Sequence, residues 1–230
     1  MANKSVSKRS QARGDQVAVQ KMEMPYQSDL LMQLGIFPKT STLYYPTPPH
    51  PEVGGDDEGV VDIGSTRVFI NAMNLLESYG KLGKRGTKIK IIINCVGGDE
   101  YQGMAVYDTI RQSKFPVIIE GRGQIMSMGV FILQAAKKGN RFLSESARLM
   151  IHEGTWGAGE MHSRDSTRSA REGDRLKIIY RDVLWARIKE KHPKYSLEQI
   201  KKLILFDTYL SAKKAVELGL ADEIIKPAQK

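Results

Sequence analysis

Residues 88–98 read KIKIIINCVGG, and this short run decides how the rest of the chain is read. Ile91, Ile92 and Ile93 follow one another without a polar break. A strand of that kind is covered on both faces, as in a parallel sheet sandwiched by helices. The paired Gly97 and Gly98 end it, and two glycines at a strand end predict a tight turn. Downstream, the periodicity predicts a helix over 102–112, a strand over 117–120 and a helix over 127–136. Short strands follow at 141–142 and 147–151. A long amphipathic helix is expected over 170–191, with Leu176, Ile179, Val183, Leu184 and Ile188 on its apolar side. Ser196 with Gln199 three residues on is a capping pattern, and Ser211 caps a last helix ended by Gly219.

Upstream, residues 42–45 predict a short strand. Pro46, Pro48, Pro49, Gly54 and Gly55 make a loop. Val68, Ala72, Leu75, Leu76 and Tyr79 fall at helical spacing, with Ser65 as the expected cap and Gly80 just past the end. Strands alternate with helices throughout, which predicts the α/β class. Residues 1–25 carry no apolar periodicity and are expected to form a mobile basic tail. Leu30, Leu31, Leu34 and Ile36 suggest a small docking element. The expected division is therefore a tail and docking element over 1–40 and one folded domain over 41–230.

Composition narrows the function classes. The chain has 230 residues, 41% hydrophobic, and a net charge of +9. No apolar run reaches the roughly 18–20 residues of a membrane span, and the start lacks the apolar core of a secretory signal. Cys95 is the only cysteine, so intrachain disulfides and paired-cysteine zinc sites are excluded. The lone cysteine suits a reducing cytoplasm. The positive residues are dispersed and not interleaved with aromatics, so a nucleic-acid partner is not expected.

Three places carry chemistry. Gly97-Gly98 leaves backbone N–H groups able to face a ligand, as in half of an oxyanion hole, although a tight turn is the plainer reading. Ser127 stands at a strand-to-helix junction. A serine there is usually a cap, but the helix dipole and the Met128 N–H would also favour a developing oxyanion. His152 ends an apolar strand ahead of the glycine-rich stretch 154–159; most lone histidines are structural. Asp207 lies between Phe206 and Tyr209, and an acid buried among such neighbours needs a partner. A serine nucleophile needs a base, and the base an orienting acid. Order along the chain leaves open whether the three meet.

Several stretches resemble one family in the right order. INCVGGDEYQGMAVYDTI (93–110) is similar to the oxyanion strand and following helix of the Clp proteolytic subunit. GRGQIMSMGVFILQAAKKGNRF (121–142) resembles its nucleophile segment and ARLMIH (147–152) its histidine segment. YSLEQIKKLILFDTYLSAKKAVELGLADEII (195–225) resembles its acid-bearing tail. The resemblance spans about 88–225. It implies a wound β-sheet head with a protruding handle helix, a fold shared with crotonases. It implies Ser127 as nucleophile, His152 as base, Asp207 as acid, and the Gly98 and Met128 N–H groups as oxyanion hole. No cofactor or metal is implied. The implied function is an ATP-dependent serine endopeptidase that cleaves unfolded polypeptides inside stacked homo-oligomeric rings fed by an AAA+ unfoldase. Departures from the family pattern are Cys95-Val96 before the glycines, Ile125-Met126 before the serine, and Glu153-Gly154 after the histidine, with Trp156 beyond. The rival expectations are a non-hydrolytic ring subunit, an acyl-CoA enzyme on the crotonase fold, and a basic nucleic-acid binder.

Overall fold

Strand β4 (Ile89–Cys95) lies at the centre of the sheet. Ile89, Ile91 and Ile93 are buried on one face and Ile92 on the other, so the unbroken apolar run has cover on both sides. The structure is a computed structural model, and it describes residues 34–46, 59–80, 88–154 and 163–226. The expected tail, most of the docking element, the proline and glycine loop from residue 47 and the glycine-rich stretch beyond Gly154 lie outside the described residues.

Strands β2 (Thr42–Tyr45) and β6 (Val117–Met126) flank β4, both parallel to it. The first half of β6 pairs with β7 (Arg141–Ser144), and β7 pairs with β10 (Glu223–Ile225), again in parallel. The second half of β6 turns to a different partner, β8 (Arg148–Ile151). Strand β9 (Thr208–Ser211) then runs antiparallel to β8. At the other edge β1 (Ile36–Phe37), within the segment expected to precede the domain, is antiparallel to β2.

The fork in β6 positions the site, and only its first half is expected from the sequence. The residues suggest a strand ending at 120, because Gly121, Gly123 and polar Gln124 read as a loop. The ladder continues because these glycines fit close contacts. A Cβ on Gly121 would press on the side chains of Leu143 and Ile125 at under 3.0 Å. Asn94 Oδ1 accepts from the Gln124 N–H at 3.1 Å, which bridges the irregularity in β4 pairing between Ile93 and Cys95.

Helix α1 (Ile63–Gly80) packs Phe69, Ala72, Met73 and Leu76 into the core. Its cap is Asp62, not the expected Ser65. Asp62 Oδ1 accepts from the Ser65 N–H and the Asp62 N–H donates to Ser65 Oγ, so Ser65 is the third-position partner. Asp99 caps α2 (Glu100–Gln112), accepting from Gln102 N–H. Helix α3 (Met128–Leu133) is wholly buried and shorter than expected. Its continuation tightens into three-residue turns, Gln134 N–H to Phe131 O and Ala135 N–H to Ile132 O.

Helix α4 (Ser163–Lys191) begins seven residues before its expected start and is about 43 Å long at 1.5 Å per residue. Its buried line is Leu176, Tyr180, Leu184 and Ile188, while Ile179 and Val183 are only partly covered. The capping box of α5 (Leu197–Ile204) is present in full between Ser196 and Gln199. Helix α6 (Ala212–Leu218) has the expected Ser211 cap and ends at Gly219 in the left-handed region. The architecture is α/β with a wound parallel core and one long helix. Among the described residues no helix is long and apolar enough to cross a membrane.

Gly97-Gly98 is not a free turn. The pair forms strand β5, parallel to β3 (Val60–Val61). A side chain on Gly98 would run into the Val61 backbone, so only glycine allows this approach.

Candidate active site

Sheet register brings the three sequence-predicted side chains to one edge. Strand β8 is parallel to β6 with Met126 opposite Met150, so Ser127 and His152 both leave the C-terminal ends of adjacent strands. The Ser127 N–H donates to Met150 O at 2.8 Å and extends that pairing. Strand β9 is antiparallel to β8, with Ile151 opposite Thr208. One residue further on, His152 faces Asp207. Thr208 Oγ1 donates to Leu203 O at 2.7 Å and tightens the bend that presents the acid.

The geometry is a continuous chain of close polar contacts. His152 Nε2 lies 2.8 Å from Ser127 Oγ, and His152 Nδ1 lies 3.2 Å from Asp207 Oδ1. With its proton on Nδ1, the ring turns that N–H side toward the Asp207 carboxylate and accepts from the Ser127 hydroxyl. The side chains of His152 and Asp207 are 26% and 58% exposed. The exposure of Asp207 corrects the expectation of a buried acid. It is not enclosed by Phe206 and Tyr209, which are themselves exposed. Strand register, not the cost of a buried charge, sets its partner.

Ser127 does not cap α3, for its side chain makes no bond to the helix. Its backbone sits at φ 49° and ψ −120°, a sparsely populated region for a residue with a Cβ. The first helical residue, Met128, has no acceptor within the helix for its N–H, as any residue at that position. Gly97 lies against the serine: a Cβ there would stand 2.6 Å from Ser127 Cβ. Gly97 N–H donates to Cys95 Sγ at 3.3 Å and Asp99 N–H to Val61 O at 2.8 Å. Met128 itself is 2% exposed and packs over Gly103 of α2, where a Cβ would press on the Met128 side chain.

Cys95 is no rival nucleophile. Burial pushes its thiol up to about 12, against the smaller downward pull of the Gly97 N–H, so the thiolate form is absent at neutral pH. One residue near the site escapes sequence reasoning. Tyr180 of α4 donates its hydroxyl to Ser127 O at 3.3 Å. Its only sequence signal is its four-residue spacing from Leu176 and Leu184, which reads as core.

Comparison with known proteins gives the family. A family model described as Clp protease matches residues 60–228. The ATP-dependent Clp protease proteolytic subunit of Deinococcus radiodurans is 36% identical over 138 residues, 60% of this chain and 65% of that protein. The ATP-dependent Clp protease proteolytic subunit 2 of Corynebacterium diphtheriae is 35% identical over 141 residues, 61% of this chain and 68% of that protein. The chain thus spans about two thirds of the length of these relatives. With the family model covering most of its length and the strand order ending in one shared edge, this chain belongs to the Clp protease family.

Proposed function

We propose that this chain is a serine endopeptidase in which Ser127 is the nucleophile, His152 the general base and Asp207 the orienting acid. The single observation that carries the reading is the unbroken chain from Ser127 Oγ through both ring nitrogens of His152 to Asp207. His152 Nε2 takes the proton of the Ser127 hydroxyl as Oγ attacks the peptide carbonyl carbon. The oxyanion is held by the backbone N–H groups of Gly98 and Met128. Gly97 and Asp99 spend their own N–H groups elsewhere, which favours Gly98 as the donor from this strand. His152 returns the proton to the departing amine as the C–N bond breaks. Water then gives a proton to His152 as its oxygen attacks the acyl carbon, and His152 returns that proton to Ser127 Oγ as the ester C–O bond breaks.

The substrates on this reading are unfolded polypeptides, admitted to a chamber formed by rings of identical copies, with an AAA+ ATPase as the feeding partner. Names of the relatives support an ATP-dependent assembly. The aligned triad favours a hydrolytic subunit over a latent one. Incubation with a fluorophosphonate probe, followed by separation of oligomers by size, tests the proposal. The label is expected on Ser127 and in a large oligomer. Ser127→Ala is expected to lose the label and to lower peptide hydrolysis by on the order of 10⁴–10⁶-fold. A Ser127→Ala protein that still hydrolyses peptides at the parent rate would remove the assignment.

A further inference from the structure

The Tyr180 hydroxyl reaches the backbone of the residue that the proposed mechanism uses as nucleophile. It donates to the Ser127 carbonyl at 3.3 Å. Its ring is 6% exposed and stacks on Phe131, with centroids 6.0 Å apart and planes 15° from parallel. Phe131 in turn meets Tyr107 at 4.7 Å, so packing fixes where the hydroxyl points. Burial raises the hydroxyl well above its ordinary value of 10.0, the His152 N–H pulling weakly the other way, and it stays a protonated donor at any pH a hydrolase works in.

The contact falls on a strained point of the main chain. Ser127 holds a positive φ that an unrestrained serine would leave. Its N–H donates to Met150 O at 2.8 Å, and its carbonyl accepts from Val130 N–H at 2.9 Å, Phe131 N–H at 3.4 Å and the Tyr180 hydroxyl at 3.3 Å. His152 lies one residue past the end of β8, beyond the last paired residue of the ladder. We propose that Tyr180 is a positioning residue, whose hydroxyl holds the Ser127 main chain so that Oγ stays within proton-transfer reach of His152. This rests on the reading of those two residues as nucleophile and base. Tyr180 touches neither reacting atom, and its effect runs through the backbone it holds.

Tyr180→Phe keeps the ring and its stacking and removes only the hydroxyl. The expected result is a fall of about tenfold in kcat and in the rate of fluorophosphonate labelling at Ser127, with KM and oligomer size unchanged, since small misplacements of reacting groups cost rate and not affinity. Labelling of Tyr180→Phe at the parent rate, while the parent protein labels at Ser127, overturns this inference and leaves the proposed function standing. A loss of label no larger than the loss of folded protein also overturns it, because Tyr180 would then be packing alone. A parent protein that never labels at Ser127 removes the function and this inference together.

Discussion

Gly97 meets Ser127 backbone to backbone, and that contact shows how narrowly the site is drawn. A methyl group at Gly97 would lie 2.6 Å from Ser127 Cβ, 3.0 Å from Met126 O and 3.2 Å from Met128 N, at a φ of 100° that side chains avoid. Every neighbour it meets belongs to the nucleophile or its flanks. Gly97→Ala is therefore expected to lower peptide hydrolysis by roughly 10²-fold or more, since the serine must shift. It should also cost about 1–3 kcal/mol of stability from the strained backbone, read by denaturant unfolding. Full activity in that variant would show that the serine tolerates displacement. Taken one at a time, these residues are barely legible in the sequence. Ser127 reads as a cap, His152 as a structural histidine and the glycines as a turn. The resemblance of their surrounding stretches groups them. Burial does not account for Asp207, whose side chain is 58% exposed.

Elements with local signals are legible and those without are not. The capping box at Ser196 needs only four consecutive residues, and the structure has both of its bonds, Ser196 N–H to Gln199 Oε1 at 2.7 Å and Gln199 N–H to Ser196 Oγ at 3.2 Å. This cap starts the helix that leads into the Asp207 bend. Ser196→Ala is expected to cost about 1 kcal/mol in urea unfolding, with the label at Ser127 retained. A cost near zero would mean water replaces the cap without penalty. The second half of β6, by contrast, is invisible in the sequence. Residues 121–124 have the composition of a loop, and they extend only because β4 on one side and β8 on the other supply partners. Strands β9 and β5 are missed for the same reason, since residues 208–211 and 97–98 gain strand character from a ladder with distant chain. Along α4, periodicity favours Ile179 and Val183, yet Tyr180 is the more deeply buried. The surface that the helix packs against made that choice, because a tyrosine stacks its ring on Phe131 and brings its hydroxyl to the Ser127 carbonyl.

At the scale of the molecule, the closing of the sheet depends on a buried ion pair. Arg141 at the start of β7 is 2% exposed and donates from Nε and Nη2 to Asp222, and from Nη1 to Gln134 Oε1 and Gly219 O. Asp222 also accepts from the N–H groups of Gly139 and Arg141. It thereby holds β10 beside β7, 81 residues earlier in the chain. Desolvation alone would raise the Asp222 carboxyl. The Arg141 bonds and charge and the two N–H donors outweigh it and hold the group below its ordinary 3.8. A carboxyl depressed in the folded state stabilises the fold above its unfolded value and loses that contribution as pH falls through the folded value. Stability is thus expected to drop as pH falls below about 4. Asp222→Asn is expected to cost roughly 3 kcal/mol at neutral pH, by leaving Arg141 buried without its counter-charge. The same variant should flatten the acid side of the stability curve, measured by denaturant midpoints between about pH 3 and about pH 7. An unchanged acid limb would assign the loss to other carboxylates, with Glu120 between Lys90 and Arg122 the next to test.

What the sequence determined by itself was local. The resemblance of whole stretches to a known family named the three side chains worth testing, while the residues by themselves contained the central strand, the helix periodicities, the caps at Ser196 and Ser211 and the α/β class. Each of these depends on neighbours a few residues away, where propensity and spacing act directly. The tertiary structure decided the fork in β6, the pairing of Gly97-Gly98 with Val60–Val61, and the register that sets His152 opposite Asp207. It alone placed the Tyr180 hydroxyl on the Ser127 backbone. These are contacts between segments far apart in the chain. A strand's register is set by which partner completes its hydrogen bonds and which face finds the core, and neither is written in its own residues.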